Sequence, residues 1–108
     1  MADYKFGDIV LIKFPFTDAQ TFKKRPDLLI KDTNDGDIIV CRITSKIYNS
    51  IYDLELNTWA QNGLKLPSVI RVHKMASLEK EMIDMKLGEI DDPEKTKVNN
   101  IIRKLFDK

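Results

Sequence analysis

Apolar residues in this chain come in short runs broken by turn-forming residues, and only one stretch, near the C-terminus, repeats them at helical spacing. That layout selects a small β structure with one helix attached. Ile9 to Phe14 is nearly unbroken and reads as a buried strand. Pro15 ends it, because proline lacks the N–H that a ladder needs. Phe16 to Lys24 is polar and reads as a long connection, after which Pro26 fixes the start of a strand from Leu28 to Lys31. Thr33-Asn34-Asp35-Gly36 is the clearest turn, since Asn, Asp and Gly tolerate left-handed backbone angles. It predicts a hairpin whose return strand runs from Asp37 to Thr44. On that strand Ile39, Cys41 and Ile43 share one face and Val40, Arg42 and Thr44 the other. Tyr52–Leu56 and Ser68–Met75 are further strands, with an irregular stretch around Trp59 and Gly63 between them. Glu79–Met82 reads as one helical turn, and Met85–Ile90 as a short strand interrupted by Gly88.

The closing stretch is a helix. Asp91 or Asp92 caps it, Pro93 suits its first turn, and Glu94 sits at the positive end of its dipole. Val98, Ile101, Ile102, Leu105 and Phe106 form its apolar stripe, which reads as core packing. The expected fold is mainly β: a small, mostly antiparallel barrel with a C-terminal helix, one domain over residues 1–108.

Composition narrows the function classes. The chain has 18 basic and 17 acidic residues, a net charge of +1, which argues against a non-specific duplex binder. A local cluster, Lys23-Lys24-Arg25, can still hold a few phosphates. No apolar run reaches the length of a membrane span. The N-terminus lacks a secretion-signal layout, and one cysteine cannot form an internal disulfide; together these point to the cytoplasm. One His and one Cys cannot supply a zinc set, and Asp91-Asp92 is better explained as a cap than as a magnesium site, so neither a metal nor a cofactor is expected. Cys41 lies on an apolar stripe and reads as a small buried hydrophobe.

What remains is a polar set of Arg25, Thr44, Arg71 and His73. Arg71 and His73 stand two apart on one strand and point to the same side. Should the four converge, they suit RNA cleavage by internal attack. An imidazole moves a proton near neutral pH. Guanidiniums stabilise charge growing on the phosphate, and a hydroxyl holds a phosphate oxygen or the sugar. The 2′-OH is the nucleophile, so RNA rather than DNA would be cut. Each residue also has a plain reading: Arg25 as a surface pair with Asp27, Arg71 as a solvated strand residue, His73 as a structural histidine, Thr44 as a good strand former.

At these residues the sequence resembles the MazF/PemK family of toxin endoribonucleases from type II toxin–antitoxin systems. Gly7 to Pro15, Arg25-Pro26, Ile43-Thr44-Ser45, Ser68-Val69-Ile70-Arg71 and the amphipathic helix come in the family's order and spacing. The resemblance implies an SH3-like barrel and a homodimer. It implies metal-independent, sequence-specific cleavage of single-stranded RNA, the activity of an mRNA interferase. It further implies a cognate antitoxin whose flexible segment occupies the RNA groove, and DNA binding as the toxin–antitoxin complex.

Carried over residue by residue, Arg25 matches the family's arginine–proline motif, Thr44 its strand-end threonine, and Arg71 a later strand arginine. His73 stands where some members carry an acidic residue, and Asp27 where a small apolar residue is common. Phe16, Lys23, Lys24 and Ser45 are expected substrate contacts. Two other functions stay open on the sequence: a catalytically silent RNA- or protein-binding module of the same fold, and a toxin acting on a protein such as DNA gyrase.

Overall fold

The computed structural model describes residues 3–15 and 21–107. Six strands form one antiparallel sheet: β1 Asp8–Pro15, β2 Phe22–Asp32, β3 Asp37–Thr44, β4 Asp53–Leu56, β5 Ser68–Glu79 and β6 Ile83–Glu89. They are ordered β4-β5-β3-β2-β1-β6. A single 3-10 turn, Lys80–Met82, separates β5 from β6, and helix α1 spans Asp92–Phe106. The mainly β fold with a terminal helix is as the sequence predicts.

The curled sheet buries side chains on both faces. One cluster joins Ile9, Leu28, Cys41, Ile43, Ile70 and Val72 to Val98 and Ile101 of the helix. A second, on the other face, holds Val10, Ile12, Leu29, Ile38 and Val40. Both faces of β3 are therefore occupied, whereas the sequence marked only one as apolar. Cys41 is fully buried, and burial pushes its thiol far above the usual range. It is a packing residue, as expected.

Several boundaries move. β2 begins at Phe22, so the expected connection ends sooner, and Pro26 lies within the strand opposite Leu11. β3 pairs with β2 only from Asp27 onward, so at Pro26 one strand edge is unpaired and tolerates a missing N–H. β5 runs on to Glu79, past the expected end at Met75, and the sheet shifts register between Cys41 and Arg42. The turn is as predicted, with Asn34 at φ 61° and Gly36 at φ 93°.

The segment 57–67 leaves edge strand β4 and lies on the opposite edge, β6. A Cβ on Gly63 would sit 2.1 Å from the Leu87 carbonyl oxygen, and one on Gly88 2.1 Å from that of Asn62. Only two glycines let these backbones meet so closely. Asn62 Nδ2 donates to the Glu89 carbonyl at 2.9 Å. Thr58 Oγ1 lies 2.9 Å from Glu94 Oε2. Glu94 itself belongs to a capping box with Asp91, the N-cap of α1. The helix start thus anchors the segment that bridges the two edges of the barrel-like sheet.

Candidate phosphate-binding groove

A cross-strand row of charges defines the site. Asp27 of β2 stands opposite Arg42 of β3, Arg42 opposite Arg71 of β5, and Arg71 opposite Asp53 of β4. Directly opposed residues in an antiparallel sheet project to the same face, so two cations sit at the centre with a carboxyl at each end. Arg25 is two residues before Asp27 on the same side of β2, and Thr44 two beyond Arg42 on β3.

A groove of about 620 Å³ opens where this row meets the closing segment. Arg25, Arg42, Thr44, Ser45, Lys65 and Ser68 supply its polar wall; Leu64, Leu66, Met85 and Leu87 supply its apolar wall. A smaller cavity of about 310 Å³ shares Arg25 and Arg42 with it and adds Phe14, Asp27, Lys74 and Met75. The Arg25 guanidinium lies 5.9 Å from the centre of the Phe14 ring. Arg42 is exposed. The groove therefore gathers three cations, Arg25, Arg42 and Lys65, and the hydroxyls of Thr44, Ser45 and Ser68 in one concave surface, a fit for a phosphodiester.

Asp27 is not the surface partner of Arg25 that sequence spacing suggested: it is 7% exposed. Burial lifts its pKa to about 7, opposed through space by Arg25 and Arg42 and by a hydrogen bond from the Ile43 N–H.

Arg71 sits differently from Arg25 and Thr44. Its Nε donates to Asp53 Oδ1 at 2.9 Å, and its guanidinium lies 3.6 Å from the centre of the Tyr48 ring. Asp53 also accepts from the Ser50 hydroxyl at 2.8 Å, and its carboxyl is held below the usual range. Arg71 and His73 point to the same side, as expected, with Arg71 Nη2 3.5 Å from His73 Nε2. The His73 ring stacks obliquely on Tyr52 at 5.5 Å, and its Nδ1 is buried without a partner. Neither Arg71 nor His73 lines either cavity.

Of the expected substrate contacts, Ser45 is in the groove wall. Lys23 is exposed on β2, and Lys24 is paired with Asp84 at 3.0 Å. Phe16 lies outside the described residues. Sequence reasoning missed Arg42, although strand alternation had already set it beside Thr44. It also misplaced Asp27. Among the described residues no group of three metal-ligating side chains occurs, and no helix is long and apolar enough to cross a membrane.

Six antiparallel strands in a barrel-like sheet, with a C-terminal helix and a groove lined by cations and hydroxyls, define a small mainly β class of protein. The match of residues 5–106 to the family described as PemK-like, MazF-like toxin of type II toxin–antitoxin systems makes this chain a member of that family. No curated protein sequence matches it.

Solved structures match nearly end to end. An endoribonuclease in complex with its cognate antitoxin from a mycobacterial species is 13% identical, with a TM-score of 0.77, over 94% of this chain and 93% of that one. The Mycobacterium tuberculosis toxin MazF-mt6 is 18% identical, with a TM-score of 0.76, over 92% and 95%. A MazE–MazF structure from Deinococcus radiodurans is 19% identical, with a TM-score of 0.77, over 95% and 96%. At such identities these likenesses speak for the fold.

Proposed function

We propose that this toxin is an endoribonuclease that cuts single-stranded RNA at short specific sequences without a metal ion. The observation that carries the reading is that Arg25 and Thr44, far apart along the chain, line one groove together with Arg42. Similar folds in an endoribonuclease bound to its antitoxin and in a MazE–MazF structure support it.

In this reading Arg25 and Arg42 hold the two non-bridging oxygens of one phosphate, and the Thr44 or Ser45 hydroxyl holds the ribose or a third oxygen. The 2′-oxygen attacks phosphorus as its proton passes to water. The 2′-O–P bond forms, the P–O5′ bond breaks, and the leaving 5′-oxygen takes a proton from water. The products are a 2′,3′-cyclic phosphate and a 5′-hydroxyl. Negative charge peaks on the phosphorane, where fixed guanidiniums bind it more tightly than they bind the substrate. Arg71 and His73 act on the field and orientation of Arg42 rather than on the reacting atoms. The working form is a homodimer in the cytoplasm, and an antitoxin segment competes with RNA for the groove.

Incubating the purified protein with single-stranded RNA and a chelator tests this. Site-specific cuts are expected, and Arg25→Ala is expected to lose them while keeping the circular dichroism of the parent. Full activity in Arg25→Ala removes the assignment, and cuts that need added divalent metal overturn the metal-free mechanism.

A further inference from the structure

The reaction above uses one side of the guanidinium pair. The other side opens into the smaller cavity, of about 310 Å³. The two cavities share Arg25 and Arg42. A phosphate seated on that pair therefore lies within reach of both. The smaller cavity is at the low end of ligand-pocket sizes, right for one ring system rather than a chain. Phe14 gives it an aromatic wall, Met75 and Leu78 an apolar lining, and Asp27 a carboxyl. Bases stack on aromatic rings whatever their sequence, so stacking alone would not discriminate. A fixed acceptor does.

We propose that the smaller cavity is a subsite for one nucleobase beside the phosphate held by Arg25 and Arg42, and that Asp27 reads this base by accepting a hydrogen bond from its exocyclic amine. The inference rests on the ribonuclease reading and supplies the source of its sequence preference. Cytosine, adenine and guanine present an amine on their pairing edge. Uracil presents carbonyl oxygens on both sides of its single N–H, and a carboxylate repels them. The subsite thus selects against uracil.

Burial brings the Asp27 pKa to about 7, against the pull of Arg25, Arg42 and the Ile43 N–H. The selection therefore sharpens as pH rises through neutrality. Below it, the neutral carboxyl can also donate to a uracil oxygen. The charged and titratable groups near Asp27 are Arg25 on its own strand, Arg42 and the buried Cys41 thiol on β3, and Lys74 on β5, while β1 contributes the apolar Val10 and Phe14.

The test has two arms. In the first, wild type and Asp27→Asn cut a randomised single-stranded RNA pool at pH 8, and the ends are sequenced. Wild type is expected to disfavour uracil about fivefold or more at one position adjoining the cut. Asp27→Asn is expected to lose that preference there and keep those at other positions. An identical profile in the two proteins overturns the proposal and leaves Asp27 a structural residue.

The second arm needs no cleavage, so it decides the matter even if the ribonuclease reading fails. Backbone amide shifts of Phe14, Met75 and Ala76 are followed during titration with cytidine 5′-monophosphate and uridine 5′-monophosphate. Tighter binding of the cytidine nucleotide, abolished in Asp27→Asn, supports the subsite. Equal binding of the two nucleotides, no shift at these amides, or a shift produced only by an antitoxin-derived peptide overturns it.

Discussion

Replacing Asp27 with asparagine isolates the cost of ionising a carboxyl inside this barrel. Three influences compete at that position. Burial disfavours the charge, while Arg25 with Arg42, and the Ile43 N–H, favour it; burial wins and takes the group from 3.8 to about 7. At about 1.36 kcal/mol per pH unit, that displacement corresponds to a ceiling of roughly 4 kcal/mol. The native protein holds this proton more tightly than the unfolded chain does. Its contribution to stability is therefore complete below about pH 4, declines as pH rises to about 7, and is flat above. Asp27→Asn keeps the shape and cannot ionise. The difference in unfolding free energy should therefore move in favour of the variant by roughly 2–4 kcal/mol between pH 4 and pH 8. Urea unfolding of both proteins at several pH values measures it. Taking the difference cancels other groups, such as Asp53 and Asp8, whose depressed values make them titrate lower. A difference that stays constant with pH would refute the argument. A wild type that gains on the variant as pH rises would show that the guanidiniums, not burial, govern this carboxyl.

Two more outcomes follow from the packing. Gly88→Ala forces a Cβ to within 2.1 Å of the Asn62 carbonyl oxygen, so the closing segment must lift from β6. A loss of about 1–3 kcal/mol is expected in thermal or urea unfolding, and an unchanged midpoint would show that this contact is not tight. Asp53→Ala strands the Arg71 guanidinium without its partner at 2.9 Å and should cost about 3 kcal/mol at pH 7. Because the Asp53 pKa is lowered on folding, its stabilisation is present at neutral pH and lost as pH falls through the carboxyl range. The penalty of the variant should shrink accordingly, and a penalty independent of pH would show that lost packing, not charge, was removed.

The strands and helix were legible because their signals are local. Asn34 and Gly36 mark the hairpin, Pro15 ends β1, and Asp91, Pro93 and Glu94 mark the start of α1. Arg25 and Thr44 were legible through family resemblance, and strand alternation put Arg42 on the side of Thr44 without showing that Arg25 would face it from the next strand. Three things were not legible. The register slip between Cys41 and Arg42 decides which β5 residue faces Arg42, and it leaves no mark in composition. The burial of Asp27 depends on its place between strands rather than on its two-residue spacing from Arg25. The pinning of Arg71 required Asp53 and Tyr48, which lie in a short edge strand and the loop before it.

The placement of carboxyls at both ends of the cross-strand row shapes how this surface meets a polyelectrolyte. With Arg71 engaged by Asp53, the cations that line the two cavities are Arg25, Arg42, Lys65 and Lys74. Each single-strand phosphate neutralised contributes about −0.7 to the logarithmic salt slope, so a strand that engages all four would bind with a slope of about −3. On the proposed function, a chain of net charge +1 thus draws its partner to one concave side rather than over its whole surface.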